Sequence, residues 1–300
     1  MNEHRLRIGD RAVTLIAGPA GWGESSPLPG YACEPVASRR AAEESARDGW
    51  PPAVRDTVPV NALIEGPGWS PSQAPAPAAP VGKAAAAARG PIDPAALRGF
   101  PAVKVKVGRT DPRDDVELVA AVRDAVGPAV ALRVDANGAW DLDTAEAMIG
   151  RLARFDLELV EQPVAALDDL ARLRRRVGVP LGADECVRSV GDARCLATLE
   201  AADVVVLKVQ PLGGVRAALQ VAETAGVPAL VTSMRETSVG IAAGLALAAA
   251  LPELPYACGL AARMPGGDVV RDPLVPVDGH MRVRHVEPDP VLLAGYEVTS

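Results

Sequence analysis

Three acidic residues stand where a divalent cation could be held. Asp135 in RVDANG, Glu161 in LVEQP and Asp184 in GADE each close a short strand-like run, one β/α repeat apart. Neighbouring strands lie about 4.8 Å apart, so carboxylates from three consecutive strand ends can converge on one point. Gathered alone, they would repel one another and their pKa values would rise. A hard cation removes that conflict, and an all-oxygen set with no histidine or cysteine nearby favours Mg2+, or Mn2+, over zinc. One such acid at a βα junction would read as a helix N-cap. Three in succession, with a lysine-bearing strand on either side, predict a metal centre at Asp135, Glu161 and Asp184.

The lysines extend the pattern. Lys104 and Lys106 in VKVKVG are two residues apart and share one face of a strand. That face is the interior or mouth, because Val103, Val105 and Val107 take the side toward the helices. Lys208 in VLKVQP follows the acidic cluster. A lysine inside such a strand is costly unless paired or working, and cations set close together free an amine to act as a base. The alternative for Lys104 and Lys208 is a structural ion pair with Asp135 or Asp184. Asn137 and Ser233, also at strand ends, are candidate substrate contacts. Trp22 is a third, in the Gly/Pro-rich segment GPAGWGESSPLPGY, where a core or surface role serves equally well.

The elements that position these residues follow a regular order. Strands are predicted at 58–64, 102–107, 130–135, 158–161, 181–184, 203–209, 229–232 and 256–260. Helices are predicted at 115–126, 144–155, 167–177, 191–200, 215–225 and 238–251, several stopped by glycine. Eight strands joined by seven crossovers, six of them helical, imply a closed parallel barrel. Before it, residues 1–57 read as a small, shortened α+β capping domain, with a hairpin at 5–16, a loop at 18–31 and a helix at 36–48. Within the barrel domain, 58–265, residues 66–90 form a Pro/Ala-rich insertion with room for a short helix at 83–89. Residues 266–300 are expected to return to the capping domain.

The 300 residues, 49% hydrophobic and 23% charged, suit a globular barrel, and the net charge of −7 argues against nucleic acid or an anionic membrane as partner. A small carboxylate substrate remains compatible, since a metal inverts the local field. Four cysteines without CxxC spacing and the lack of a signal-like start point to the cytoplasm. The apolar run at 239–251 is too short to span a bilayer. Composition favours neither a monomer nor a homo-oligomer.

In order and spacing, VKVKVG, VDANGAW, LVEQP, LGADE and VLKVQPLGG resemble the muconate-lactonizing subgroup of the enolase superfamily over residues 58–260. The resemblance implies a modified TIM barrel, (β/α)7β, with Mg2+ on Asp135, Glu161 and Asp184. It sets Lys106 and Lys208 on opposite faces of the substrate, with Lys104 beside the substrate carboxylate. His4, His280 and His285 lie at no barrel strand end, which disfavours the histidine-base branch. GPAGWGESSPLPGY, VPVNALI and SMRETSVGIAAG narrow the likeness to the o-succinylbenzoate synthase family. That implies a Mg-dependent lyase of menaquinone biosynthesis, working by lysine proton abstraction and an enediolate intermediate. An N-succinylamino acid racemase or dipeptide epimerase would use the same lysines, and a barrel that has lost catalysis is the non-enzyme alternative.

Overall fold

The computed structural model describes residues 1–66 and 92–298. The insertion expected at 66–90 and its short helix at 83–89 lie outside these residues, apart from Gly66. The N-terminal elements are β1 (Asn2–Ile8), β2 (Arg11–Gly18), β3 (Gly21–Ser25) and α1 (Pro35–Arg47). The barrel series begins with β4 (Thr57–Pro59), β5 (Asn61–Ile64), β6 (Ala102–Lys106), α2 (Pro112–Val126), β7 (Ala131–Asp135) and α3 (Leu142–Leu152). It continues through β8 (Leu157–Glu161), α4 (Leu167–Arg174), β9 (Leu181–Ala183), α5 (Val190–Leu199), β10 (Val204–Leu207) and the short α6 (Val209–Leu212). It ends with α7 (Val215–Ala225), β11 (Ala229–Val231) and α8 (Ser238–Ala250), followed by β12 (His280–Arg282) and α9 (Pro290–Tyr296). Two compact units result: Met1–Val60 with Leu207–Glu223 and Ala229–Ser300, and Asn61–Val206 with Thr224–Pro228.

In the second unit, β5 to β10 pair in parallel in chain order. The registers Lys106↔Asp135, Asp135↔Glu161 and Glu161↔Gly182 form one row across four strands. Residues in register point the same way, so this row sets the polar side chains side by side. Helices α2, α3 and α5 start on side-chain caps: Asp111 accepts from Arg113 N–H, Asp141 from Thr144 N–H and Ser189 from Asp192 N–H. Helix α4 starts at Ala166 with no side-chain cap. Asp135, Glu161 and Asp184 cap none of them, so capping does not account for these acids.

In the first unit, β1, β2 and β3 form an antiparallel sheet. Residues 21–25, expected as loop, are its third strand, because Pro19 and Ala20 turn the chain and Gly18 pairs with Gly21. Helix α1 packs a face of Ala41, Ala42, Ser45 and Ala46 beneath the sheet. The approach is so close that a Cβ on Gly23 would collide with the Ala42 backbone. The expected strand at 58–64 is divided: β4 pairs with β12, whereas Val60 bridges Cys258. The expected strand at 256–260 is reduced to two bridge residues. Cys258 N–H donates to Pro59 O and Gly259 N–H to Val231 O, and Pro255, lacking an N–H, cannot extend the ladder backward. Thr232 N–H donates to Leu207 O. At the other end of the chain, Val298 N–H donates to Arg5 O and Glu297 bridges Leu6. Helix α8 is apolar all round and almost wholly buried.

Two buried acids in this unit tie the segment after β3 to the one after β11. Glu24 accepts from Ser26 Oγ at 2.5 Å, Gly240 N–H at 3.0 Å and the Thr237 hydroxyl. Glu236 accepts from Met234 N–H at 2.8 Å and Gln210 Nε2 at 3.3 Å. Arg11 donates to the Met234 and Arg235 carbonyls, both at 2.7 Å, and to Ser26 O. Burial first, then the charge of Glu24, pushes the Glu236 carboxyl up to about 7, and burial also raises Glu24. The Arg11 charge works in the opposite direction on both. Glu236 keeps its proton up to about pH 7 when folded, against an ordinary value of 4.5. The folded chain therefore binds more protons in that window, and this group's contribution to stability is lost as pH rises through it. E236Q is expected to remove that part of the decline in melting temperature between roughly pH 5 and pH 7, followed by calorimetry. An unchanged slope in E236Q would show that Glu236 ionises normally.

Candidate active site

The strand ends of the second unit bring five of the expected residues together: Lys104, Lys106, Asp135, Asn137 and Glu161. Lys106 Nζ donates to Asp135 Oδ2 and Asn137 Oδ1, each at 2.6 Å. Lys104 Nζ lies 3.0 Å from both Glu161 oxygens and 3.1 Å from Asp135 Oδ2. One ammonium thus touches two carboxylates, all of them below a tenth exposed. Buried charges persist only when paired, and here lysines and acids neutralise one another. Asp184, two residues beyond the Glu161↔Gly182 register, is also buried.

The loops after the strands hold this geometry. Arg109 donates to the Lys106 carbonyl at 3.0 Å, to Glu65 O at 2.5 Å and to Asp115. Asp115 also accepts from the Gly108 and Arg109 N–H groups at 2.8 and 3.0 Å. Gly108 takes φ +95, where a side chain would be strained and its Cβ would stand 2.8 Å from that of Ala139. Asn137 and Gln162 take φ 48 and 39 at the ends of β7 and β8. Non-glycine residues hold such angles only where their surroundings fix them. Asn137 N–H is bonded to Asp135 at 3.0 Å. Gln162 Oε1 accepts from Asp184 N–H at 2.7 Å and Cys186 N–H at 3.3 Å, and its Nε2 donates to Val164 O at 2.7 Å. Gln162 therefore shapes the turn that carries Asp184 and Glu185. The Cys186 thiol, half-buried beside that turn, is pushed up to about 12 by desolvation and stays protonated. Among the described residues no cysteine forms a disulfide.

In the first unit, Lys208 does not lie within a strand, as expected from the run 203–209, but is the N-cap of α6, because β10 stops at Leu207 and Pro211 fits the first helical turn. Its Nζ lies 4.8 Å from the centre of the Tyr31 ring, a cation–π contact. Trp22 lies in β3 with its ring tilted against His4 at 5.5 Å, so the loop aromatic beside Lys208 is Tyr31. Ser233, just past β11, donates its N–H to Gly259 O. Tyr31, Gln162, Glu185, Arg109 and Asp115 were not singled out for these roles by sequence. The adjacency of Gln162 and Glu185 to two of the acids was the available signal.

Among the described residues, no three acidic, histidine or cysteine side chains stand in metal-holding geometry. The donor chemistry nonetheless fits a hard cation. Asp135 and Glu161 already share one positive charge, that of Lys104. No described helix is long and apolar enough to cross a membrane.

A family model described as enolase C-terminal domain-like matches residues 85–288. The chain is 51% identical over 302 residues to an o-succinylbenzoate synthase of Thermobifida fusca, covering 98% of this chain and 89% of the relative. It is 44% identical over 293 residues to an o-succinylbenzoate synthase of Mycobacterium tuberculosis, covering 95% and 82%. A muconate cycloisomerase from Pseudomonas fluorescens superposes with a TM-score of 0.79 at 23% identity, covering 99% of this chain and 97% of that one. That last likeness concerns the fold alone, a mixed α/β, TIM-barrel-like architecture. The chain is an enzyme of the enolase superfamily and belongs, within it, to the o-succinylbenzoate synthase family.

Proposed function

We propose that the chain dehydrates 2-succinyl-6-hydroxy-2,4-cyclohexadiene-1-carboxylate to 2-succinylbenzoate, a lyase step of menaquinone biosynthesis in the cytoplasm. The observation that carries this reading is the buried Lys106 ammonium, bonded to Asp135 and Asn137 in the row that also holds Glu161. The 51% identity to an o-succinylbenzoate synthase over nearly the full length supports this choice of substrate.

Asp135, Glu161 and Asp184 would hold Mg2+ or Mn2+, which when bound neutralises these acids and polarises the substrate carboxylate. Lys106, as the free amine, takes the proton from the ring carbon that carries the carboxylate. The electron pair left on that carbon moves into the ring and expels the neighbouring hydroxyl. Lys106 returns the proton to that hydroxyl, so water leaves, the amine is regenerated and the ring becomes aromatic. Lys208 supplies fixed positive charge to the carboxylate as negative charge develops there. Lys104, a cation beside Asp135 and Glu161, would meet the substrate carboxylate. Asn137 holds Lys106 in place, while Trp22 and Ser233 remain proposed contacts for the substrate.

K106A is expected to lower kcat by about 10²- to 10⁴-fold, the usual worth of a positioned acid–base group. The check is the rise in absorbance as the aromatic product forms. Full turnover in K106A would remove Lys106 from the reaction. In D2O, solvent deuterium entering an N-succinylamino acid, without any dehydration of the cyclohexadiene, would replace the synthase reading by the racemase one. E161Q is expected to weaken Mg2+ binding in titration calorimetry, and chelation should abolish turnover until Mg2+ is restored. Wild-type affinity in E161Q would exclude Glu161 as a ligand.

A further inference from the structure

Glu185 follows the third acid of the site and has no part in the chemistry above. Its Oε1 accepts from Asn137 Nδ2 at 2.8 Å, while Asn137 Oδ1 accepts from Lys106 Nζ at 2.6 Å. We propose that Glu185 is a positioning residue for Lys106: it pins the Asn137 amide so that the carbonyl end faces the ammonium. The proposal rests on Lys106 as the proton-transferring group and names what sets its orientation.

An asparagine amide has one accepting end and one donating end, and nothing in its shape prefers either direction. Here the two neighbours decide. A carboxylate only accepts and an ammonium only donates. Turning the amide over would set oxygen against oxygen at Glu185 and N–H against N–H at Lys106. The backbone of Asn137 gives no freedom to escape, since its φ is 48 and its N–H is held by Asp135. Glu185 is fixed in turn by Gln162, which bonds the N–H groups on either side of it, at Asp184 and Cys186.

The second oxygen argues against a packing role. Glu185 Oε2 is buried without a partner, which is costly for a charged group. A side chain present only to fill space would carry no such charge. The chain Gln162–turn–Glu185–Asn137–Lys106 therefore transmits the shape of the β9 turn to the amine on β6. Lys106 thus meets an ionic partner in Asp135 and a neutral partner, Asn137, whose direction is fixed.

The test compares E185L with E185Q in the Mg2+-loaded enzyme, because glutamine still offers an oxygen to Asn137. E185L is expected to lose about tenfold in kcat with KM within about twofold, and E185Q to return within about threefold of wild type. Mg2+ affinity by calorimetry should stay within about twofold in both. Independently of turnover, metal-free protein is treated with trinitrobenzenesulfonate and modification of the Lys106 peptide is timed by mass spectrometry. The rate is expected to rise several-fold in E185L and not in E185Q. E185A repeats the series should E185L fail to fold. Unchanged kcat and unchanged Lys106 reactivity in E185L overturn the proposal, as does loss in step with Mg2+ affinity or an E185Q as impaired as E185L. K106A run alongside separates the two claims. If K106A turns over normally, Lys106 is not the base, whereas the reagent rates still decide whether Glu185 positions it.

Discussion

Burying charge at the strand ends is the constraint on which the rest depends. Asp135, Glu161, Lys104 and Lys106 all lie below a tenth exposed, where an unpaired charge would cost several kcal/mol. They coexist because parallel register sets them side by side and each lysine meets an acid. A cation entering among these carboxylates must compete with the ammonium groups that now neutralise them.

That competition only works if the groups cannot drift. The loop after β6 is clamped by Arg109 and Asp115, and the turn after β9 is held by the Gln162 amide. Both clamps are buried and both act on backbone, which fixes where the strand-end side chains start. The unusual angles at Asn137 and Gln162 are maintained by these bonds. In the other unit, the Glu24, Glu236, Arg11 and Gln210 network does comparable work for the segments around β3 and β11. Its acids stay buried through hydrogen bonds and one guanidinium.

Much of this was legible in sequence because it depends on period and spacing. The two-residue step from Lys104 to Lys106 and the recurrence of Asp135, Glu161 and Asp184 follow from strand geometry alone. So do the helices after each strand, most of which agree within a few residues. What was not legible depends on partners distant in the chain. Residues 21–25 look like a glycine-rich loop until β2 offers them an edge. Lys208 looks like a strand residue, and becomes a helix cap because α6 begins at Val209. Glu24 and Glu236 are unremarkable acids in sequence, and only the fold shows that they are buried together around Arg11. Tyr31 is reached from Lys208 through a loop whose path no periodicity specifies.

The most direct measurement is a crystal structure grown with Mn2+, with the ion located by its anomalous scattering. A single peak within bonding distance of oxygens from Asp135, Glu161 and Asp184 is the result this account requires. A peak elsewhere, or none with Lys104 still bridging Asp135 and Glu161, would mean that the acids and lysines serve only to neutralise one another.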